Sequence, residues 1–169
     1  MTTSVGISGG TYYAAATLGN RFNVAAGASE EANVAAVIEK SVEFMAGIAD
    51  DVRDGWNLRV REPQPYVLYP ARTLLTGQNA TSQATMPGIG DGLGDVVMAV
   101  SDSTSGELLH IRKAFNLTSD VEAARLAVAV YSTIQDKLAN KYADVFLSKQ
   151  EESATATKDL SAYRLAPKA

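Results

Sequence analysis

The chain of 169 residues has no cysteine and a single histidine, His110. These absences remove thiol nucleophiles, thiolate metal sites, disulfides and any metal site that needs two imidazoles. Carboxylates, hydroxyls, lysine and tyrosine are the chemistry that remains. Strong basicity is missing as well: 15 Lys and Arg stand against 19 Asp and Glu, for a net charge of −4. No chain-wide field therefore gathers nucleic acid, although a local basic patch stays compatible with that balance. Nor is there an apolar run near the roughly 18 residues of a membrane span, and Met1 to Gly10 carries neither a basic residue nor an apolar stretch of signal-peptide length. The expectation is a protein without a membrane partner, cytoplasmic at synthesis. Asn79-Ala80-Thr81 and Asn116-Leu117-Thr118 match the glycosylation sequon and, with no secretion signal, read as chance.

What is present suits a folded body. Hydrophobic residues make up 46% and charged residues 20%, enough apolar material for a core. Three stretches follow: an N-terminal arm or short strands over 1–28, a single α+β domain over 29–149, and a flexible tail over 150–169. The first stretch is rich in Gly, Ala, Ser and Thr, with Thr11-Tyr12-Tyr13 and Arg21 to Val24 as β-type islands between glycine turns. Ser29 then stands as an N-cap before Glu30 and Glu31, and Val34, Val37, Ile38, Val42, Met45, Ile48 and Val52 mark one face of a helix that stops at Gly55. Its other side carries Glu39, Glu43, Asp50 and Asp54, expected as a solvated face. No internal repeat of solenoid length is visible.

Beyond Gly55 the period changes. Trp56, Leu58 and Val60 alternate with Asn57, Arg59 and Arg61 as in a half-buried strand, and Tyr66 to Tyr69 forms another between prolines. Leu75 to Gly94 is open, polar and glycine-rich, and such connections are usually functional loops or mobile segments. Asp95–Val100 and Glu107–Phe115, separated by Ser101 to Gly106, read as a β-hairpin. Ser119-x-x-Glu122 is a capping box, and Val121, Ala124, Val128, Tyr131, Ile134, Leu138, Tyr142 and Val145 stripe a helix reaching Leu147. A helix of that length exceeds what a small sheet needs and invites a partner, unless it breaks near Asn140. The expected architecture is thus a small, mainly antiparallel sheet packed with two long amphipathic helices, with an extended N-terminal arm and a flexible C-terminal tail.

Motif-like strings fail on context. Gly6-Ile7-Ser8-Gly9-Gly10 has the letters of a nucleophile elbow, but the elbow needs a strand before it, a helix after it and a large α/β sheet, and a β-like Tyr12-Tyr13 follows here. Gly88 to Asp95 resembles a phosphate loop, yet it leads into a strand, with no helix N-terminus and no Gly-Lys-Ser/Thr. Asp91, Asp95 and Asp102 match no complete calcium loop. His110 reads as a surface or interface residue, and the acidic helix stripe lacks the Glu-x-x-His pairs of a di-iron bundle. No catalytic residue, metal ligand or cofactor site is assigned.

One constellation stands out. Arg53, Arg59, Arg61 and Arg72 are interleaved with Trp56, Tyr66 and Tyr69. Arginine and aromatic side chains on a sheet suit either inter-subunit pairing or single-stranded nucleic acid. The functional expectation is a non-enzymatic structural protein assembling with its own copies and with other virion proteins, as in a phage coat, a capsid cement or a head–tail junction. An RNA- or single-stranded-DNA-binding module on segment 53–72 is the alternative. A β region followed by a Ser-capped C-terminal helix resembles, in outline, some small phage coat proteins; the early helix departs from that pattern.

Overall fold

The computed structural model describes residues 2–22, 24, 29–61, 66–70, 95–139 and 143–165. In chain order these form β1 (Thr2–Ser8), α1 (Gly9–Arg21), α2 (Glu30–Arg53), β2 (Asn57–Arg61), β3 (Tyr66–Tyr69), β4 (Asp95–Ser101), α3 (Asp102–Phe115), α4 (Asp120–Leu138), β5 (Asp144–Glu151), β6 (Ala154–Asp159) and a 3₁₀ turn, Ser161–Tyr163. The class is α+β, with four helices and two small antiparallel sheets among the described residues. One sheet is the ribbon β1–β4; the other has the order β3-β2-β5-β6.

Each helix starts on a serine whose hydroxyl accepts an otherwise unpaired N–H: Ser8 from Thr11 at 3.1 Å, Ser29 from Ala32 at 3.3 Å, Ser101 from Thr104 at 3.2 Å and Ser119 from Glu122 at 3.2 Å. α2 ends as its sequence requires. The Trp56 N–H donates to the Asp51 carbonyl at 3.0 Å and the Gly55 N–H to that of Val52 at 3.1 Å, with Gly55 at φ 105. This is a Schellman stop at a φ that disfavours a Cβ. Gly55→Ala is expected to cost about 1–2 kcal/mol, read as a lower denaturation midpoint at unchanged m-value.

The element order contains a repeat longer than any solenoid unit. β1–α1–α2–β2–β3 is followed by β4–α3–α4–β5–β6, and equivalent strands meet antiparallel, β1 with β4 and β2 with β5, while β3 and β6 lie outermost. Local details match. Ser8 and Ser101 cap α1 and α3, and each hydroxyl also meets a buried threonine, Thr11 at 2.8 Å and Thr104 at 2.9 Å. Phe22 and Phe115, both buried, close the two helices. The chain is thus a pair of βααββ units in an approximate two-fold relation, with Val5 opposite Met98 and Arg59 opposite Phe146 at its centre.

The core lies between the helices and the inward faces of the sheets. Val34, Val37, Ile38, Phe44, Met45 and Ile48 of α2 are buried with Leu126, Val130, Ile134 and Leu138 of α4. Leu58, Val60, Val145 and Leu147 cover them from the larger sheet.

Several expectations are corrected. Gly9–Arg21, expected to be extended, is helical because Ser8 caps it and Ala15 and Leu18 reach the core. The 95–115 hairpin is instead a strand followed by helix α3. Ser101 supplies a cap rather than a turn, and Leu108, Ile111 and Phe115 recur at helical spacing and are buried. The long C-terminal helix ends at Leu138, and β5 begins at Asp144, so the surplus length that seemed to call for a partner does not exist. Part of the expected tail is β6, paired with β5, and the following turn is held by side chains of α4. Leu75 to Gly94 and the glycine loop with Asp91 lie outside the described residues.

Two carboxylates predict an acid limb. Glu122 accepts from the Thr118 N–H and hydroxyl, both at 2.9 Å, and these bonds hold its pKa below 4.5. Asp159 accepts from the Ser161 hydroxyl at 2.7 Å and N–H at 3.1 Å, which holds its pKa below 3.8. Groups with depressed folded pKa values add stability above their unfolded values, and that stability is lost as pH falls through the folded ones. Denaturation midpoints are expected to be level above about pH 5 and to fall below about pH 4, with Glu122→Gln flattening part of that fall.

Candidate functional site

The arginine–aromatic segment is divided by the fold. β2 alternates: Leu58 and Val60 point inward, whereas Arg59 and Arg61 belong to the opposite face. Register places Phe146 opposite Arg59 and Asp144 opposite Arg61, and in β6 Asp159 pairs with Phe146. The Arg61 guanidinium lies over the Phe146 ring at 4.8 Å from its centroid, a cation–π contact. The Arg59 Nε is buried and has no hydrogen-bond acceptor among the described residues. Beside these, Arg61, Asp144, Phe146, Thr157, Asp159 and Ser161 line a shallow cleft of about 200 Å³.

The remaining members stand elsewhere. Arg53 pairs with Asp50 at 3.4 Å and Asp54 at 3.8 Å at the end of α2. Trp56 is half-buried beneath Lys158, whose Nζ is 4.6 Å from the ring centroid and donates to Asp51 at 2.9 Å. Tyr66 and Tyr69 lie on β3 in register with Val60 and Leu58, which are inward residues, rather than with the arginines. Arg72 lies outside the described residues. Phe146 was missed because its segment reads as the end of a helix; the signal for it is the β-type run Val145-Phe146-Leu147 after the break near Asn140.

The acidic stripe of α2 is only partly a solvated face, since α3 packs beside it. Glu39 accepts from the Ser101 N–H at 3.1 Å, and Asp50 lies 3.1 Å from Nε2 of His110 on α3. Burial, followed by the Glu43 and Glu39 charges, raises the pKa of Glu107. Among the described residues no group of three or more His, Asp or Glu is arranged to hold a metal, and no helix is long and apolar enough to cross a membrane.

No protein-family model, curated protein or solved structure matches the chain.

A second surface lies on the β1–β4 ribbon. Val5, Ile7, Met98 and Val100 pack inward, while Ser4, Gly6, Val97 and Ala99 form the outer face. Val97 is 74% exposed. Along β4, residues Val96 to Ala99 and, across from them, Tyr12, Glu31, Ala32 and Ala35 line an open cleft of about 330 Å³. Partial burial, then the Glu30 and Glu31 carboxylates, raise the Tyr12 pKa, so its phenol stays a neutral donor at the cleft wall. This surface presents exposed aliphatic side chains beside one carboxylate, that of Glu31.

Proposed function

We propose that this chain is a non-enzymatic structural protein that works by joining to copies of itself, of the kind that builds or cements a virion shell or a head–tail junction. The observation that carries the reading is the outer ribbon, where Val97 stands 74% exposed on an uncharged stretch of strand beside an open cleft. Apolar exposure on a strand is a liability that proteins usually blunt, and it is retained where a partner covers it. Size-exclusion chromatography with light scattering on the full chain tests this. A discrete oligomer, ring or particle is the expected result, and a strict monomer at high concentration would end the reading.

A second reading rests on a different observation. Arg61 stacked on the Phe146 ring, with Arg59 beside it on the same face of β2, favours a single-stranded nucleic acid laid across the sheet, through stacking and phosphate contact. Asp144 and Asp159 oppose it. Binding of a short oligouridine at low salt, lost on replacing Arg59 and Arg61 together by alanine, would support this reading; no binding at low salt would remove it. A coat that packages nucleic acid would satisfy both readings.

A further inference from the structure

The cleft beside Arg61 holds charges of both signs that do not neutralise each other. The β2–β5 register sets Asp144 opposite Arg61, and residues opposite one another on adjacent strands stand about 4.5–5.5 Å apart at Cβ. Even so, no hydrogen bond or ion pair joins the two among the described residues. The guanidinium turns onto the Phe146 ring instead, and Arg61 and Asp144, both exposed, line one cleft of about 200 Å³. Asp159 stands in the same wall but is engaged: its Oδ1 accepts from the Ser161 hydroxyl at 2.7 Å and N–H at 3.1 Å. Asp144 has no such partner among the described residues, which leaves a carboxylate beside a fork of guanidinium donors for a ligand to meet.

A carboxylate repels phosphate but accepts from N–H groups. Against the backbone of a strand Asp144 is unfavourable, whereas against the edge of a base it is a matched acceptor. The four RNA bases differ in what they offer such a pair. Uracil has one ring N–H, and adenine and cytosine have one exocyclic amine each. Guanine alone sets two donors, N1–H and N2–H2, side by side for a carboxylate, and two acceptors, O6 and N7, side by side for an arginine fork. The four groups follow one another along one rim of the purine, so a carboxylate and a guanidinium on neighbouring strands can meet them together.

We infer that this cleft reads a guanine base of a single strand, Asp144 accepting from N1–H and N2–H2 while the Arg61 guanidinium donates to O6 and N7. The inference rests on the strand-binding reading above and names the base that the surface prefers. The other cleft residues suit that role. Asp159, tied back by Ser161, is a fixed negative wall that keeps phosphate out of the cleft, and Arg59, on the same face of β2, supplies positive charge beside it for the backbone. The two carboxylates that weaken general phosphate binding thus become the source of selectivity, because a base that cannot donate to Asp144 leaves it facing the strand unpaired.

Fluorescence anisotropy on the full chain at low salt tests this with four labelled RNA pentamers, UUGUU, UUAUU, UUCUU and UUUUU. UUGUU is expected to bind about 10-fold more tightly than the others, the usual worth of a bidentate base contact. Asp144→Asn replaces one acceptor oxygen by a donor, and is expected to bring UUGUU to the level of UUUUU without weakening UUUUU. Arg61→Lys keeps the charge, loses the fork and should abolish the preference as well. Both residues are exposed, so circular dichroism of the variants should match the wild type. Equal binding of the four pentamers, or a guanine preference that survives Asp144→Asn, overturns the inference and leaves the strand reading in place. Guanosine monophosphate competing as strongly as UUGUU overturns it in favour of a free nucleotide. If no pentamer binds, the inference and the strand reading fall together.

Discussion

Phe44→Ala is expected to be the most damaging single substitution in the core, lowering stability by about 3–5 kcal/mol, the usual cost of deleting a fully buried aromatic ring. Phe44 is 0% exposed, in the middle of α2, where that helix crosses α4. Its ring lies 5.5 Å from that of Tyr131 and meets Tyr163 edge-on at 4.8 Å. Three segments distant in sequence thus share one ring, so the cavity left by alanine cannot collapse by moving a single element. Tyr131 adds a second consequence: burial, with the Glu43 charge, pushes its pKa to about 12, keeping the phenol neutral against the ring. Urea denaturation followed by far-UV circular dichroism measures the loss, and Phe44→Leu should recover more than half of it.

Gln135→Leu is expected to cost about 2–4 kcal/mol and to loosen the C-terminal segment. Gln135 is 0% exposed and uses both ends of its amide: Nε2 donates to the Tyr163 carbonyl at 2.7 Å, and Oε1 accepts from the Leu165 N–H at 3.0 Å. Leucine keeps the volume and removes both partners, leaving a carbonyl and an N–H to be buried unsatisfied or to part from α4. Parting exposes Leu160 and Leu165, now 6% and 9% exposed, and frees the Arg164 guanidinium from the Ala143 carbonyl at 2.9 Å. Limited trypsin digestion separates the two routes. Faster cleavage after Lys158 and Arg164 marks release, whereas a lower midpoint with unchanged cleavage marks burial of unpaired groups.

The helices legible in the sequence were those whose caps and apolar stripe agree. α2 carries Ser29, a buried face of Val34, Ile38, Met45 and Val52, and the Gly55 stop; α4 begins at the expected Ser119 box. Two other helices begin on equivalent serines, Ser8 and Ser101, but there the caps sit among Gly, Ser and Thr, which have low helix propensity and read as turns. Those segments become helical because Leu18, Leu108, Ile111 and Phe115 find a core made by distant parts of the chain. In the arginine segment, the alternation of β2 brought Arg59 and Arg61 to one face as its period demands, yet Phe146 comes to them from β5 across a pairing that no local signal specifies. The same holds for Gln135, an ordinary polar residue on a helix until the segment around Tyr163 docks on it.

The sequence by itself determined the α+β class, the exclusion of thiol and two-imidazole chemistry, the start and stop of α2, and the two faces of β2. Each of these depends on covalent inventory or on neighbours within a turn or a strand. The tertiary structure alone decided that the chain is two βααββ units, that Glu39 of α2 accepts from the Ser101 N–H at the end of β4, and that Arg61 rests on Phe146. Those outcomes depend on contacts between segments far apart in the chain, where packing and strand register select among local conformations of similar energy.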